Sequence, residues 1–203
     1  MPQIVLNYRQ RVFKRGLDLI IAILGLFLTW WIIVIAAVIS GIETKSSGFF
    51  LQERVGRHGK IFKLIKIKTM FNLVDYRSVV TTSNDPRITH IGRVFRKTKI
   101  DELPQLINVL VGHMSIVGPR PDVPGFADKL KGEDRYLLEL RPGITGPASI
   151  KYRNEEEILS KQNNPEFYNK HVIYPDKVSI NLKYIKEYKL ANDIKYIYRT
   201  ITK

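Results

Sequence analysis

Leu19–Ile42, LIIAILGLFLTWWIIVIAAVISGI, carries no charged residue over its whole length. A helix needs about 20 consecutive apolar residues to cross a hydrocarbon core, and this run supplies them. A secretory signal has an apolar stretch of roughly 7–15 residues followed by a small-residue cleavage site, whereas this run is longer and leads straight into basic sequence. A buried core helix would be apolar on one stripe, and this one is apolar all round. The segment therefore reads as a membrane anchor, with residues 1–45 forming a basic flank and anchor helix and residues 46–203 the rest of the protein. Arg9, Arg11, Lys14 and Arg15 precede the run, and Lys45, Arg54, Arg57, Lys60 and Lys63 follow it. Basic residues favour the cytoplasmic side, so two basic flanks predict a re-entrant hairpin rather than a straight span. Gly25, Thr29 and the Trp30–Trp31 pair mark the middle, where Trp would be out of place at the bilayer centre.

The whole chain has 203 residues, enough for one domain and an appendage, and its 33 Lys and Arg against 19 Asp and Glu give a net charge of +14. Such a balance calls for anionic partners, whether nucleic acid, lipid headgroups or phosphorylated small molecules. Cysteine is absent, which excludes disulfide scaffolds, thiolate nucleophiles and cysteine-ligated metals. His58, His90, His113 and His171 are scattered without metal-ligand spacing and read as surface residues.

Beyond the anchor, Phe49–Leu51 and Ile61–Ile67 read as short strands around the turn Gly56–Gly59. Lys63, Lys66 and Lys68 recur on nearly every second residue, which in a strand aims at least two ammonium groups to one side. The alternative is a solvated strand face. Leu73–Thr89 reads as a polar loop punctuated by Asn84-Asp85-Pro86. Ile88–Leu110 then shows helical spacing on either side of Arg96-Lys97-Thr98-Lys99. Asp101-Glu102 suits the first turn of the second helix, where carboxylates meet the positive dipole end and Pro104 lacks no needed donor. Gly118–Pro121 and Arg141–Pro147 read as two proline-stiffened turns, each holding an arginine that is either a phosphate clamp or an ordinary surface residue. Asn154–Asn164 reads as an exposed acidic helix and turn, and Lys177–Lys203 as basic amphipathic sequence suited to a membrane surface or a core-covering helix.

These landmarks, in this order, resemble the small monotopic phosphoglycosyl transferases, also called bacterial sugar transferases. The resemblance covers nearly the whole chain. It rests on the anchor that follows Asp18, on Phe50–Gly56, Phe62–Met70 and Arg96–Leu106, and on Met114–Pro121 and Arg141–Gly146. It implies an α-rich α/β globule on the cytoplasmic face of the bacterial inner membrane, with interfacial amphipathic helices. The implied reaction moves a sugar 1-phosphate from a UDP-sugar to undecaprenyl phosphate. By the same resemblance Asp101 is the nucleophile and the ligand of Mg2+, and Glu102 is its catalytic neighbour. Lys66, Arg96, Arg120 and Arg153 match basic residues around the family's phosphate site, and Asp193 matches an acidic residue near its C-terminus that serves the site or the fold. Membrane lipids, and a homodimer within the membrane, are compatible partners. Two departures stand out: Trp30–Trp31 replaces the family's frequent Ser-Pro in mid-anchor, and Asn181 stands where Asp is common.

Two other readings remain. A membrane-tethered nucleic-acid-binding module has only the charge in its favour and no recognition motif, so nucleic acid is not an expected partner. An inactive scaffold of a glycan-priming complex is disfavoured by the intact Asp101, Glu102, Lys66 and Arg120.

Overall fold

The computed structural model describes residues 6–72, 81–82 and 85–202. Helix α1 spans Tyr8–Thr44, and its 37 residues extend about 55 Å at 1.5 Å per residue. Asn7 starts it through a reciprocal box: its side chain accepts from Gln10 N, and the Gln10 side chain accepts from Asn7 N, both at 2.9 Å. Lys45 ends it in the left-handed conformation. The expected mid-anchor bend has no counterpart in a broken hydrogen-bond ladder, since α1 is helical through Gly25, Thr29 and Trp30–Trp31. The reason is local, because neither tryptophan removes a backbone donor as proline would.

A stripe on α1 was not legible as such in an all-apolar run. Asp18, Ala22, Ile33, Ala36 and Ser40 are buried, with Gly25 and Thr29 between them at the three- and four-residue spacing of one helix face. Most of these are small, so the globule approaches closely: a Cβ on Gly25 would stand 2.9 Å from Leu106 Cδ1. The other face stays exposed, with Phe27, Leu28, Trp30, Trp31 and Val34 all more than half accessible. Among the described residues α1 is the one helix long and apolar enough to cross a membrane.

After α1, β1 (Phe49–Val55) and β2 (Ile61–Ile67) pair antiparallel around the 3-10 turn Arg57–Gly59, as the sequence pattern predicts. Gly48 is needed at the entry to β1, because a Cβ there would fall 1.8 Å from the Ala37 carbonyl oxygen of α1. The predicted loop Leu73–Thr89 lies largely outside the described residues. Its described end forms a buried turn in which Asp85 pairs with Arg87 at 2.7 Å, and Thr89 caps α2 (His90–Thr98) by accepting from Gly92 N. A 3-10 turn, Ile100–Glu102, separates α2 from α3 (Gln105–Leu110). Asp101 and Glu102 thus do not open α3 itself. Pro104 is its N-cap and its first turn holds no acidic residue, because the left-handed Lys99, at φ 60°, turns the chain before the carboxylates and starts a separate turn.

Strand β3 (Ser115–Val117) pairs in parallel with β4 (Gly143–Thr145). The Arg141–Pro147 segment is therefore partly a strand and not only a turn, because Gly143 and Gly118 allow the two chains to touch. A Cβ on Gly143 would lie 2.1 Å from Gly118 N. Two 3-10 segments, Ala127–Lys129 and Gly132–Glu139, bridge β3 to β4. Then follow α4 (Pro147–Lys151), the acidic α5 (Glu155–Ser160), α6 (Pro165–Tyr168), a π-helical turn (Asn169–Ile173), α7 (Tyr174–Lys186) and α8 (Leu190–Ile201). The α-rich α/β class is as expected. The main core joins α1, β2, α3, β3, α7 and the segment before α8 through Ala22, Leu64, Val109, Met114, Val117, Ile185 and Tyr188.

The basic residues ahead of the anchor do more than flank it. Lys14 is buried and pairs with Asp193 of α8 at 2.8 Å, and Arg15 donates to the Val109 and Leu110 carbonyls that end α3. At the far end Glu43 accepts from Ile91 N at 3.1 Å, and Ser40 donates to the Lys68 carbonyl. Both ends of α1 are docked on the same globule.

Candidate active site

A cavity of about 1430 Å³ opens among β1, β2, the Ile100–Glu102 turn, the Pro119–Pro124 loop, α4, α5 and α7. Lys66, Arg96, Asp101, Glu102, Arg120 and Arg153 all line it. Six of the seven sequence-selected residues are thus brought together from segments up to 87 positions apart. Asp193 is not among them. Its oxygens accept from Lys14 Nζ at 2.8 Å, Tyr184 Oη at 2.6 Å and Tyr188 Oη at 3.2 Å, which makes it the lock between α8 and α1.

Each cation reaches the cavity for a local reason. Lys66 lies in β2 with its side chain inward; Lys63 alternates to the other face and is exposed. Lys68 sits past the strand end and donates to Ser46 Oγ at 2.7 Å. The expected lysine row therefore contributes one ammonium here. Arg96 occupies the last turn of α2, where its charge also complements the dipole. The close β3–β4 crossing at Gly118 launches the Pro119-Arg120-Pro121 turn toward Glu102. Arg153 is more exposed, on the opposite wall, and donates to the Thr200 carbonyl at 3.4 Å. Arg141, in the second turn, lies outside the cavity lining and donates to the Gly112 carbonyl at 2.8 Å, so it is not a clamp.

Glu102 and Asp101 differ sharply despite adjacency. Glu102 Oε1 accepts from Arg120 at 2.6 Å and from Lys66 at 3.5 Å. Burial opposes its ionisation, yet the Arg120 and Lys66 charges outweigh burial and hold the carboxyl well below its usual range. Burial depresses the Lys66 ammonium, with Glu102 acting against that. Asp101 is 5% accessible and its Oδ1 has no hydrogen-bond partner among the described residues. Burial, then the neighbouring Glu102 charge, raise its pKa, while Lys66, Arg96 and Lys99 pull it down. A buried, unpaired carboxylate oxygen is costly unless something binds it. It faces the Lys66, Arg96 and Lys99 charges, and Arg96 is held by Glu156 of α5.

The family model described as bacterial sugar transferase matches residues 9–203. The chain belongs to this family. Among its relatives, the UDP-glucose:undecaprenyl-phosphate glucose-1-phosphate transferase of Escherichia coli is 36% identical over 199 residues, covering 95% of this chain and 40% of that protein. The exopolysaccharide production protein ExoY of Sinorhizobium fredii is 30% identical, covering 94% of this chain and 84% of its own length. The UDP-N-acetylgalactosamine-undecaprenyl-phosphate N-acetylgalactosaminephosphotransferase of Aeromonas hydrophila is 31% identical over 93% of this chain and 42% of its own. The chain thus spans about two fifths of the length of two of these relatives and most of the third.

Sequence reasoning missed several cavity residues. Arg54 donates to the Pro121 carbonyl at 2.9 Å, and burial lowers it to about 10. Asp122, Ser149, Tyr174, Lys177 and Glu156 also line the wall. Asp122 directly follows the Pro-Arg-Pro turn and could have been selected on that adjacency. The others come from helices whose polar residues look solvated in one dimension.

Proposed function

We propose that this transferase moves a sugar 1-phosphate from a UDP-sugar to undecaprenyl phosphate in two displacements through Asp101. The observation that carries the reading is the buried, unpartnered Asp101 Oδ1 within a cavity otherwise rich in cations. In the first displacement that oxygen attacks the phosphorus bearing the sugar. The bond from this phosphorus to the bridging oxygen breaks, and UMP leaves with the electron pair. In the second, an oxygen of the lipid phosphate attacks the same phosphorus and Asp101 departs as carboxylate. The product is a polyprenyl-diphosphate sugar, the first membrane-bound species of a surface glycan. This is covalent catalysis, splitting one transfer into two easier ones.

The diphosphate and the nucleophile are both anionic, so approach demands compensating charge. Lys66 and Arg120 supply it at the Asp101–Glu102 turn, with Glu102 fixing both cations in place. Arg96 contributes once a donor phosphate displaces Glu156, an exchange of one anion for another. Arg153 serves the opposite wall. Asp101 would suit a divalent ion shared with substrate through the carboxylate oxygen that does not attack: Mg2+ is commonly held by one or two carboxylates plus phosphate oxygens rather than by an all-protein cage. No group of three or more His, Asp or Glu at metal-binding spacing occurs among the described residues. Bound there, the ion would offset charge on the transferring phosphoryl oxygens.

Helix α1 suits a bilayer interface. Its docked face keeps both ends on the globule, so both basic flanks fall on one side of a membrane, while Phe27, Trp30 and Trp31 project outward. A continuous helix lying along the surface meets the re-entrant expectation for the flanks without the bend. The globule would then sit on the cytoplasmic face of the inner membrane, where lipid phosphate and soluble donor meet.

The test is UMP release from a UDP-sugar in the presence and absence of undecaprenyl phosphate, with intact-mass detection of a phosphosugar adduct. An adduct on the wild type, absent in Asp101→Asn and after chelation of divalent ions, is expected. Direct transfer with the protein never labelled would overturn the two-step route.

A further inference from the structure

Asp101 is not the only residue of the cavity wall with an unmatched polar atom. Ser149 Oγ and Asn181 Oδ1 are also buried without a hydrogen-bond partner among the described residues, and both residues line the cavity together with Tyr174, whose hydroxyl meets the Asp122 carboxyl. They cluster by construction. Tyr174, Val178 and Asn181 lie at i, i+4 and i+7 on α7, one face of the helix, and each lines the cavity. α4, which carries Ser149, packs on α7. Native folds leave few buried polar atoms unpaired, so two on one wall beside the Tyr174–Asp122 pair call for a common partner.

The chemistry of this wall differs from that at Asp101. It presents two neutral hydroxyls and an amide, with the Asp122 carboxyl beside Tyr174. Asn181 is 5% accessible. The nearby Lys177 is occupied by Glu155, whose two oxygens it meets at 2.7 and 2.6 Å. The three groups named here are neutral, whereas Lys66 and Arg120 gather at the Asp101–Glu102 turn, so phosphate is better served there and a ring bearing several hydroxyls finds donors and acceptors on this wall.

On the reading that the sugar-bearing phosphorus faces Asp101, we propose that Ser149, Tyr174, Asn181 and Asp122 form the subsite that recognises the hydroxyl groups of the donor's sugar and so selects among UDP-sugars. Asn181 is its central group. A carboxylate there would lie on the same wall as Asp122 and repel it. The amide keeps the wall neutral enough to accept a sugar while still offering both a donor and an acceptor.

The experiment measures kcat/KM of the full chain in detergent or nanodiscs with UDP-glucose, UDP-galactose and UDP-N-acetylgalactosamine, beside inhibition by UMP. Tyr174→Phe removes one oxygen and leaves the ring, and Asn181→Ala and Ser149→Ala remove the other two groups. Each is expected to lower kcat/KM for the preferred donor about tenfold, the worth of one such hydrogen bond. The ratio between the two epimeric donors, UDP-glucose and UDP-galactose, should fall toward one, and UMP inhibition should stay within about twofold. An unchanged donor ratio overturns the proposal, and so does a parallel weakening of UMP, which would assign the wall to the nucleoside. If Asn181→Ala fails to fold, the Tyr174→Phe ratio decides. Wild-type protein that releases no UMP from any donor would instead sink the transferase reading itself.

Discussion

Asp101 and Asp193 are both buried aspartates set among cations, yet they serve opposite ends. Every Asp193 oxygen is taken by Lys14, Tyr184 or Tyr188, and the cluster is closed. One Asp101 oxygen is left without a protein partner, and the cations around it are offered to the cavity. Burying a carboxylate is expensive in both places. Where the protein satisfies the charge itself, the result is a rivet between two helices. Where it leaves the charge incomplete, the deficit stays open to whatever enters the cavity.

Replacing each aspartate should separate the two roles. Asp101→Asn is expected to reduce UMP release at least about a thousandfold, as loss of a nucleophile does. Its thermal unfolding should match or exceed the wild type, since a neutral amide is cheaper to bury. Equal activity in the variant would place the nucleophile elsewhere. Asp193→Ala should do the reverse. Stranding Lys14 without its partner costs about 3–5 kcal/mol in a denaturant titration, while turnover per folded molecule stays near wild type. The double change Lys14→Met with Asp193→Leu should recover much of that loss.

A third carboxyl sharpens the contrast by titration. Burial raises Asp122 to about 6, while Lys177, Arg54 and the Tyr174 hydroxyl pull it down and Glu155 pushes it up. Its folded pKa lies above the unfolded value of 3.8, so its favourable contribution is complete below about pH 4 and is lost as pH rises through about 6. Asp122→Asn cannot ionise. The variant should therefore gain in thermal midpoint relative to wild type between about pH 4 and pH 7 and keep a constant lead above that. A pH-independent difference would show that Asp122 is already matched in the fold, as Asp193 is.

The smallest effect concerns the chain leading into the open cluster. Lys99 holds φ 60°, a left-handed conformation that glycine adopts without strain, so Lys99→Gly should stabilise the protein by up to about 1 kcal/mol. The urea midpoint reads this directly. A destabilised variant would mean that the Lys99 charge facing Asp101 outweighs its backbone strain.

The anchor, the β1–β2 hairpin, α2 and the amphipathic C-terminal helices were legible in the sequence because each is written in local periodicity. The motif around Asp101-Glu102 named residues that the fold gathers, with Lys66, Arg96, Arg120 and Arg153, along one cavity. Other features escaped. Lys14 and Arg15 look like flanking charge for a membrane, and only docking shows one pairing with Asp193 and the other ending α3. Arg141 looks equivalent to Arg120, each a residue of a proline-stiffened turn, but the β3–β4 crossing sends only Arg120 to the cavity.

By itself the sequence determined which segments are apolar enough to leave water, which residues can form helices and strands, and which carboxylates and cations exist to do chemistry. Tertiary structure alone decided which of those charges are satisfied. That depends on distances between residues as far apart as Lys14 and Asp193, or Lys66 and Arg120, and hydrogen bonds and ion pairs form across a few ångströms of space irrespective of separation along the chain.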